Sequence, residues 1–387
     1  MIYAILPIGN NFGWGTCGKY LVKELSEFAE VKYITEQFGI NAIGDEMEFH
    51  FLKSKLIGKI EADQISNGSI KRVNHPVLQA INNHSLIPCY GIKLKGSFKA
   101  GYTFFEENLL LPEYIQNGRD NYDIVITGSK WCEEVLRKHG LETVTTVIQG
   151  VDPRIFNPSF SDKEFFKDRF VVFSGGKFEL RKGHDLAIKA YKALQDRHDD
   201  VMLVNSWYNM WPDSMNTMAA SQYIKFEIES KDYVTTMNKV LRDNGIDLNR
   251  VITMLPRPNA MMPRIYKNTD VGLFPNRCEG GTNLVLMEYM ACGKPVIASY
   301  NSGHKDILNS NNSKMIENMK PMEINSDART VAVWDDPNLE ETISHLEWAY
   351  QNKDELKLIG TQAGKDLGQH TWKKSAEHFF KIVTNTC

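Results

Sequence analysis

The stretch "NRCEGGTNLVLMEYMACGKPVIAS", from Asn276 to Ser299, decides how the chain is read. It sets two carboxylates, Glu279 and Glu288, in glycine-rich and apolar company. "NLVLMEYMAC" reads as a helix that is apolar almost all round, and such a helix is buried. A buried carboxylate without a partner is costly, so Glu288 calls for a protein group or a ligand beside it. The two acids lie nine positions apart. Nine steps turn a helix through about 900°, so a single helix would carry them on opposite faces. Gly280 and Gly281 are poor helix residues, whereas Thr282 and Asn283 are good caps. The expectation is a loop bearing Glu279 after the strand "DVGLFP", then a helix that starts near Thr282 or Asn283 and contains Glu288. The free N–H groups of that helix start would point at the same cleft as Glu279. The alternative is a salt-bridged core Glu288 and a surface Glu279.

The same alternation of short β-branched runs and longer helical patterns extends outward along the chain. "IYAILPI" precedes "GKYLVKELSEFA", "YDIVITGS" precedes "KWCEEVLRKHG", and "RFVVFSGG" precedes "GHDLAIKAYKALQDRH". Strands alternating with helices predict parallel sheets built of βαβ units. The series starts twice, once at Ile2 and again at Phe170. "QGVDPRIFNPSFSDKEFFKD", with Pro153 and Pro158, connects the two. The fold class expected is α/β, with two Rossmann-like doubly wound domains facing a cleft. The boundaries expected are 1–155 and 165–369. Trp372, Ala376, Phe379, Phe380 and Val383 recur at helical spacing and predict a packed terminal helix within 370–387. Ligands bind at the carboxyl ends of the strands in such domains.

The length of 387 residues suits two or three domains, and the net charge of -3 gives no footprint for general nucleic-acid binding. Cys17, Cys89, Cys132, Cys278, Cys292 and Cys387 are scattered without a C-x-x-C pair. Neither a zinc site nor a disulfide framework is expected, and a reduced cytoplasmic protein is. "MIYAILPIGNNFGWG" lacks a basic segment before a long apolar one, so it reads as a first strand rather than a signal peptide. No run approaches the ~18 apolar residues of a membrane span.

In "SGGKFELRKGHDLAIKA", Gly175 and Gly176 follow a strand, and Lys177, Arg181 and Lys182 crowd one loop. Clustered cations repel unless an anion or carboxylate joins them. A diphosphate would do so, helped by the N-terminus of the helix beginning near His184; a solvated basic loop is the alternative. The spacing is not a Walker A loop. In the first domain Gly13, Gly15 and Gly18 fit G-x-G-x-x-G, and Glu36 could be the acid of an NAD site. The plainer reading is a turn that lets another ligand approach the backbone. His75, His84, Glu106 and Glu107 are acid/base candidates facing the cleft, or structural groups. The aromatics of "VNSWYNMWP" suit sugar or base stacking and core packing equally. Between Phe51 and Ala100, Lys53, Lys55, Lys59, Lys71, Arg72, Lys93, Lys95 and Lys99 face only Glu61 and Asp63. That surface is either merely solvated or meets an anionic acceptor or membrane face. No D-x-D triplet occurs, which fits a basic loop holding a diphosphate without metal.

Together these segments resemble the family 4 retaining glycosyltransferases of GT-B fold. "GVDPRIF" resembles the family's interdomain G-V-D-x-x-x-F, and "GGKFELRKG" is similar to its G-R-L-x-x-x-K-G loop, with Lys177 in place of arginine. "EGGTNLVLMEYMACGKPVIAS" is similar to its E-x7-E segment, although the acids are one residue further apart and Gly280 stands at the regular first-acid position. The terminal tryptophan-bearing helix resembles the one that crosses back to complete the first domain. The resemblance implies transfer of a sugar, with retention, from a UDP- or GDP-type donor to a glycan, lipid-linked or protein acceptor. It implies that Lys177 and Lys182 neutralise the diphosphate, Glu279 binds the transferred sugar and Glu288 binds the ribose. Gly15, Gly176, Gly280, Gly281, Thr282 and Asn283 would complete the donor site, and His75, Glu106 and Glu107 are the acceptor-side candidates. No metal, no cofactor and no nucleic acid is expected, and the first domain is the candidate for peripheral membrane contact. A nucleotide-sugar epimerase or phosphorylase of the same fold, a non-catalytic sugar-nucleotide binder and an NAD-dependent dehydrogenase are the competing readings.

Overall fold

Six short runs in the first part of the chain, β1 (Ile2–Ile5), β2 (Val31–Ile34), β3 (Val77–Asn82), β4 (Lys99–Thr103), β5 (Ile124–Thr127) and β6 (Val144–Thr146), pair in parallel in the order β2-β1-β3-β4-β5-β6. Six more, β7 (Phe170–Gly175), β8 (Val201–Ser206), β9 (Val251–Thr253), β10 (Val271–Phe274), β11 (Val296–Ser299) and β12 (Lys314–Ile316), form a second parallel sheet ordered β9-β8-β7-β10-β11-β12. The two expected Rossmann-like domains are present in this computed structural model. It describes residues 1–384 except 11, 37, 40–42, 59–60, 62–63, 66–70, 161–162, 229, 231 and 327–328. Lys59, Asp63 and Cys387 lie outside the described residues. Strand β7, "FVVFSG", is buried at every position, as a central strand covered on both faces must be.

Strand order reverses between β7 and β10, where the crossovers pass to opposite faces of the sheet. The first domain carries helices α1 (Gly13–Leu25) and α2 (Lys130–Lys138); in the second, the helices that follow β7 and β10, α3 (His184–Gln195) and α4 (Leu284–Ala291), splay apart and leave a crevice at the strand ends. Helix α4 is anchored by Tyr289, whose ring stacks on Phe173 of β7 at 5.1 Å.

The chain passes between domains twice, and the two crossings lie side by side. Val151 donates to His370 O at 2.8 Å, and Trp372 donates back to Val151 O at 3.3 Å. A Cβ on Gly150 would stand 2.1 Å from Trp372 N, so the approach requires glycine. Beyond the crossing, helix α5 (Trp372–Thr384) stacks Trp372 on Tyr20 and joins the apolar core of the first sheet through Ala376, Phe379 and Val383. Val151 and Phe156 are buried in the second domain, so the connection is packed rather than loose.

Two features depart from the sequence reading. Gly13, Gly15 and Gly18 all lie within α1 (Gly13–Leu25), where a dinucleotide loop would place its first glycines ahead of the helix. A Cβ on Gly18 would stand 2.0 Å from Pro7 O, so this glycine seats the helix on its own strand. The second departure is an antiparallel hairpin, β13 (Met319–Ser326) and β14 (Arg329–Pro337), which was not foreseen. It reaches from the second domain onto residues 106–109 of the first. Asn108 Nδ2 donates to Val333 O at 2.9 Å, Val333 N–H to Asn108 Oδ1 at 2.8 Å, and Trp334 Nε1 to Glu106 O at 2.8 Å. Among the described residues, no helix is long and apolar enough to cross a membrane.

Candidate active site

Two loops meet where β7 and β10 end. The first, after β7, turns at Gly176 (φ +115°) and Gly183 (φ +67°) and delivers Lys177, Arg181 and Lys182. A Cβ on Gly183 would stand 1.9 Å from Pro275 O, so the loops touch backbone to backbone. The second, after β10, carries Glu279. Lys182 Nζ lies 2.5 Å from Glu279 Oε1, and Arg181 Nη1 lies 3.2 Å from Glu279 Oε2. Asn276 Nδ2 also donates to Glu279. Burial by itself would raise the Glu279 carboxyl, but Lys182 and Arg181 outweigh it and hold the group at about 2. Glu179 is held at about 2 in the same way by Arg181 at 2.6 Å and Lys177 at 3.4 Å.

The Glu279 loop is bolted from behind by the segment after β11. Ser299 Oγ donates to Asn276 O at 2.5 Å, and Asn301 Nδ2 donates to Asn276 O and Arg277 O at 3.0 and 3.1 Å. Glu279 N–H donates to Ser302 Oγ at 2.7 Å, and Gly303 N–H donates to Glu279 O at 3.0 Å. Arg277, almost wholly buried, forks onto Asp185 at 2.8 and 2.9 Å and reaches Asp336 of the hairpin at 2.6 Å.

Glu288 is in a different state. It is buried, and the side chain that hydrogen-bonds it is the neutral amide of Asn259, 2.5 Å away. Desolvation dominates and pushes its carboxyl up to about 8, against the pull of Asn259 and of Lys19 from the first domain. Tyr20 on α1 donates to Asn259 Oδ1 at 3.3 Å, so the first domain also reaches this acid through Asn259.

Two parallel Rossmann-like sheets, joined by a double crossing and closed by a terminal helix, match solved structures over their full length. Sucrose-phosphate synthase from Thermosynechococcus elongatus aligns with a TM-score of 0.68 at 13% identity, covering 100% of this chain and 98% of that one. HepE of Anabaena, solved in complex with UDP and glucose, aligns at 0.65 and 15% identity, with 99% of each chain covered. A glycosyltransferase from Rickettsia africae aligns at 0.63 and 12% identity, covering 100% and 99%. The chain has the GT-B glycosyltransferase fold. Within it, residues 168–331 match the family model described as glycosyl transferases group 1, which spans β7 to β12 and hence both site loops. A sequence search of curated proteins found no match.

In this GT-B frame most second-domain candidates converge and most first-domain candidates do not. Lys182, Glu279 and Glu288 are buried at the crevice. Asn283 is the N-cap of α4, held at φ 60°, and its side chain accepts from Leu286 N–H at 3.4 Å. Thr282 is buried beside it, with its hydroxyl on Met287 Sδ. Lys177 is half-exposed, with Nζ 5.0 Å from the Trp211 ring centroid. Gly280 is a domain contact: its carbonyl accepts from Ser129 Oγ at 2.7 Å, and a Cβ there would stand 2.2 Å from Phe105 O. A Cβ on Gly281 would stand 3.0 Å from Gln149 of the interdomain connection. Gly15 packs inside α1 against Gly9 N and the Phe12 ring, where a Cβ would meet them at 2.6 and 2.7 Å.

Glu106 reaches the site across the domains, 3.4 Å from Arg181 Nη1, while Glu107 pairs with His84 Nδ1 at 3.3 Å. His75 precedes β3, at the amino-terminal edge of the sheet, and packs near Tyr3. His75 thus stands at the edge of the sheet opposite the carboxyl ends of the strands, away from the second-domain residues gathered at the crevice. "VNSWYNMWP" divides: Trp207 is core, donating to Ser174 Oγ at 3.0 Å, whereas Trp211 is exposed and meets Phe12 of the first domain edge-on. Sequence reasoning missed Asn259, Tyr20, Ser302 and His304. They lie 23 to 268 positions along the chain from the acids they act on, and no local motif marks them.

Proposed function

We propose that the protein moves a sugar from a nucleotide-diphosphate donor, of UDP or GDP type, to a glycan, lipid-linked or protein acceptor, with retention and without metal. The observation that carries this reading is the meeting of Lys182, Arg181, Glu279 and the N-terminus of α4 at the reversal point of the second sheet. Breaking the sugar–phosphate bond leaves negative charge on the departing diphosphate. Lys182, Lys177 and the N–H groups at the start of α4 are fixed cations and dipoles able to receive it in a water-poor site. Glu279, ionised, accepts hydrogen bonds from the hydroxyls of the transferred sugar. Glu288 accepts from the ribose diol once it has lost its proton. The leaving phosphate oxygen takes the proton of the attacking acceptor hydroxyl, so the new glycosidic bond forms as the old one breaks and no protein base is consumed. HepE, with its UDP and UDP-glucose complexes, makes UDP donors the first to test. Exposed Lys53, Arg72, Lys93 and Lys95 on the first domain suit an anionic or lipid-linked acceptor.

Thermal-shift measurements against UDP, GDP, ADP and NAD test the donor class. Radiolabelled nucleotide-sugar then distinguishes transfer to an added acceptor from isomerisation or hydrolysis. Stabilisation by UDP or GDP and label on the acceptor are expected; stabilisation by NAD alone would overturn the proposal.

A further inference from the structure

We infer that His304 is a positioning residue of the donor site, which sets the side-chain amide of Asn283 and through it the N-terminus of α4. The inference rests on the donor reading above and extends it to a residue outside the recognised motifs. His304 is completely buried, its ring hydrogen-bonds Ser299 and Asn283, and it lies within the electrostatic reach of Glu279, Lys182 and Arg181. Its Nδ1 lies 2.9 Å from Ser299 O, a group that can only accept, so Nδ1 carries the hydrogen. Burial dominates and lowers the ring to about 4, so it is neutral near pH 7 and Nε2 is a bare acceptor. Asn283 Nδ2 lies 3.2 Å from that nitrogen and donates to it.

This settles which way the Asn283 amide faces. With its NH2 committed to His304, its Oδ1 is presented to Leu286 N–H, the third helical position, as an N-cap requires. A flipped amide would set NH2 against N–H and lose the cap. Asn283 is in the left-handed region, an uncommon place for a residue other than glycine, so the turn needs a partner that holds it. His304 is itself fixed by its neighbour: a Cβ on Gly303 would stand 1.7 Å from Gly281 O, which locks the two loops in register. With the cap seated on Leu286, the N–H groups of Leu284 and Val285 at the first turn remain to receive an anion.

The test is a double-mutant cycle read by calorimetric affinity for UDP and for GDP, with melting temperature alongside. His304→Leu is expected to weaken the tighter nucleotide by about tenfold, the scale of an orphaned buried polar contact. His304→Gln, whose Oε1 restores the acceptor toward Asn283, is expected to stay within about threefold of the parent. In an Asn283→Ala background, His304→Leu should change affinity by less than about twofold, because its route is already gone. If His304→Leu does not fold, His304→Asn takes its place: its Nδ2 keeps a donor toward Ser299 O, its Oδ1 is too short to stand where Nε2 met the Asn283 amide, and it should show the same loss. Unchanged affinity in folded His304→Leu or His304→Asn, or additive losses in the cycle, would overturn the inference alone. Failure of the parent protein to bind either nucleotide would overturn the donor reading and this inference with it.

Discussion

Lys182 and Glu279 form a buried ion pair, Nζ to Oε1 at 2.5 Å, so each is the other's counter-charge in the donor-free protein. A diphosphate arriving at this loop joins an occupied lysine and must share it or draw it away. Lys182→Ala is expected to lower kcat/KM by about 10²–10³-fold through lost stabilisation of the leaving group. It also removes one of the two cations paired with Glu279 and leaves Arg181 as its counter-charge, at a cost of about 1–3 kcal/mol in urea unfolding. Removing both partners, Lys182→Ala with Glu279→Ala, should destabilise less than the two single losses combined. Additive stability losses would show that the pair is not coupled.

Glu288 makes the protein pH-sensitive in a stated direction. Its folded value near 8 exceeds the ~4.3 of an unfolded glutamate, so the folded state holds the extra proton between them. Its contribution to stability is complete below about pH 4.3 and is lost as pH rises through about 8. Glu288→Gln cannot lose that proton. The melting temperature of the variant relative to the parent is expected to improve between about pH 6 and pH 9. A difference that does not vary with pH would place the ionisation elsewhere.

Nucleotide binding should report the same group. The ribose diol donates to a carboxylate and favours the ionised form, so binding near pH 7 is expected to release a proton. Calorimetry in two buffers of different ionisation enthalpy measures that release, and Glu288→Gln should abolish it.

Gly280 stands where the two domains touch. A Cβ there would fall 2.2 Å from Phe105 O, backbone rather than a yielding side chain. Gly280→Ala is expected to hold the domains apart, increasing the radius measured by small-angle scattering with an unchanged circular-dichroism spectrum. Activity should fall by about 10²-fold, the cost of an ångström-scale displacement between the halves of a site.

The hairpin is fastened to the first domain through Asn108, which both donates to and accepts from Val333. Asn108→Ala should favour opening by about 1 kcal/mol per lost bond. Faster amide exchange at Val333, which loses its acceptor, and at Leu109, which donates to Val331 O, checks this.

The alternation of β-branched runs and amphipathic helices carried the architecture, because a strand covered on both faces must be apolar and a parallel crossover needs a helix. The helix start at Asn283 was also legible, since Gly280, Gly281 and the Thr282–Asn283 pair leave few other boundaries. The hairpin had only the alternation in "RTVAVWDD" to announce it, and nothing in that pattern says which surface it will cover.

Glycine placement and apolar periodicity are enough to assign Glu279 and Glu288 to different elements, one a glycine loop and one a buried helix. Their charge depends on contacts that form only when the chain has folded. Glu279 is ionised because Lys182 and Arg181, 97 and 98 positions away in the chain, arrive at the end of a neighbouring strand. Glu288 keeps its proton because its close partner, 29 positions away, is the neutral amide of Asn259. Two acids of one chemistry in one short stretch thus differ by about six units, from about 2 to about 8, since ionisation depends on what is brought beside a group and on how much water is excluded. Neither quantity is local in the chain.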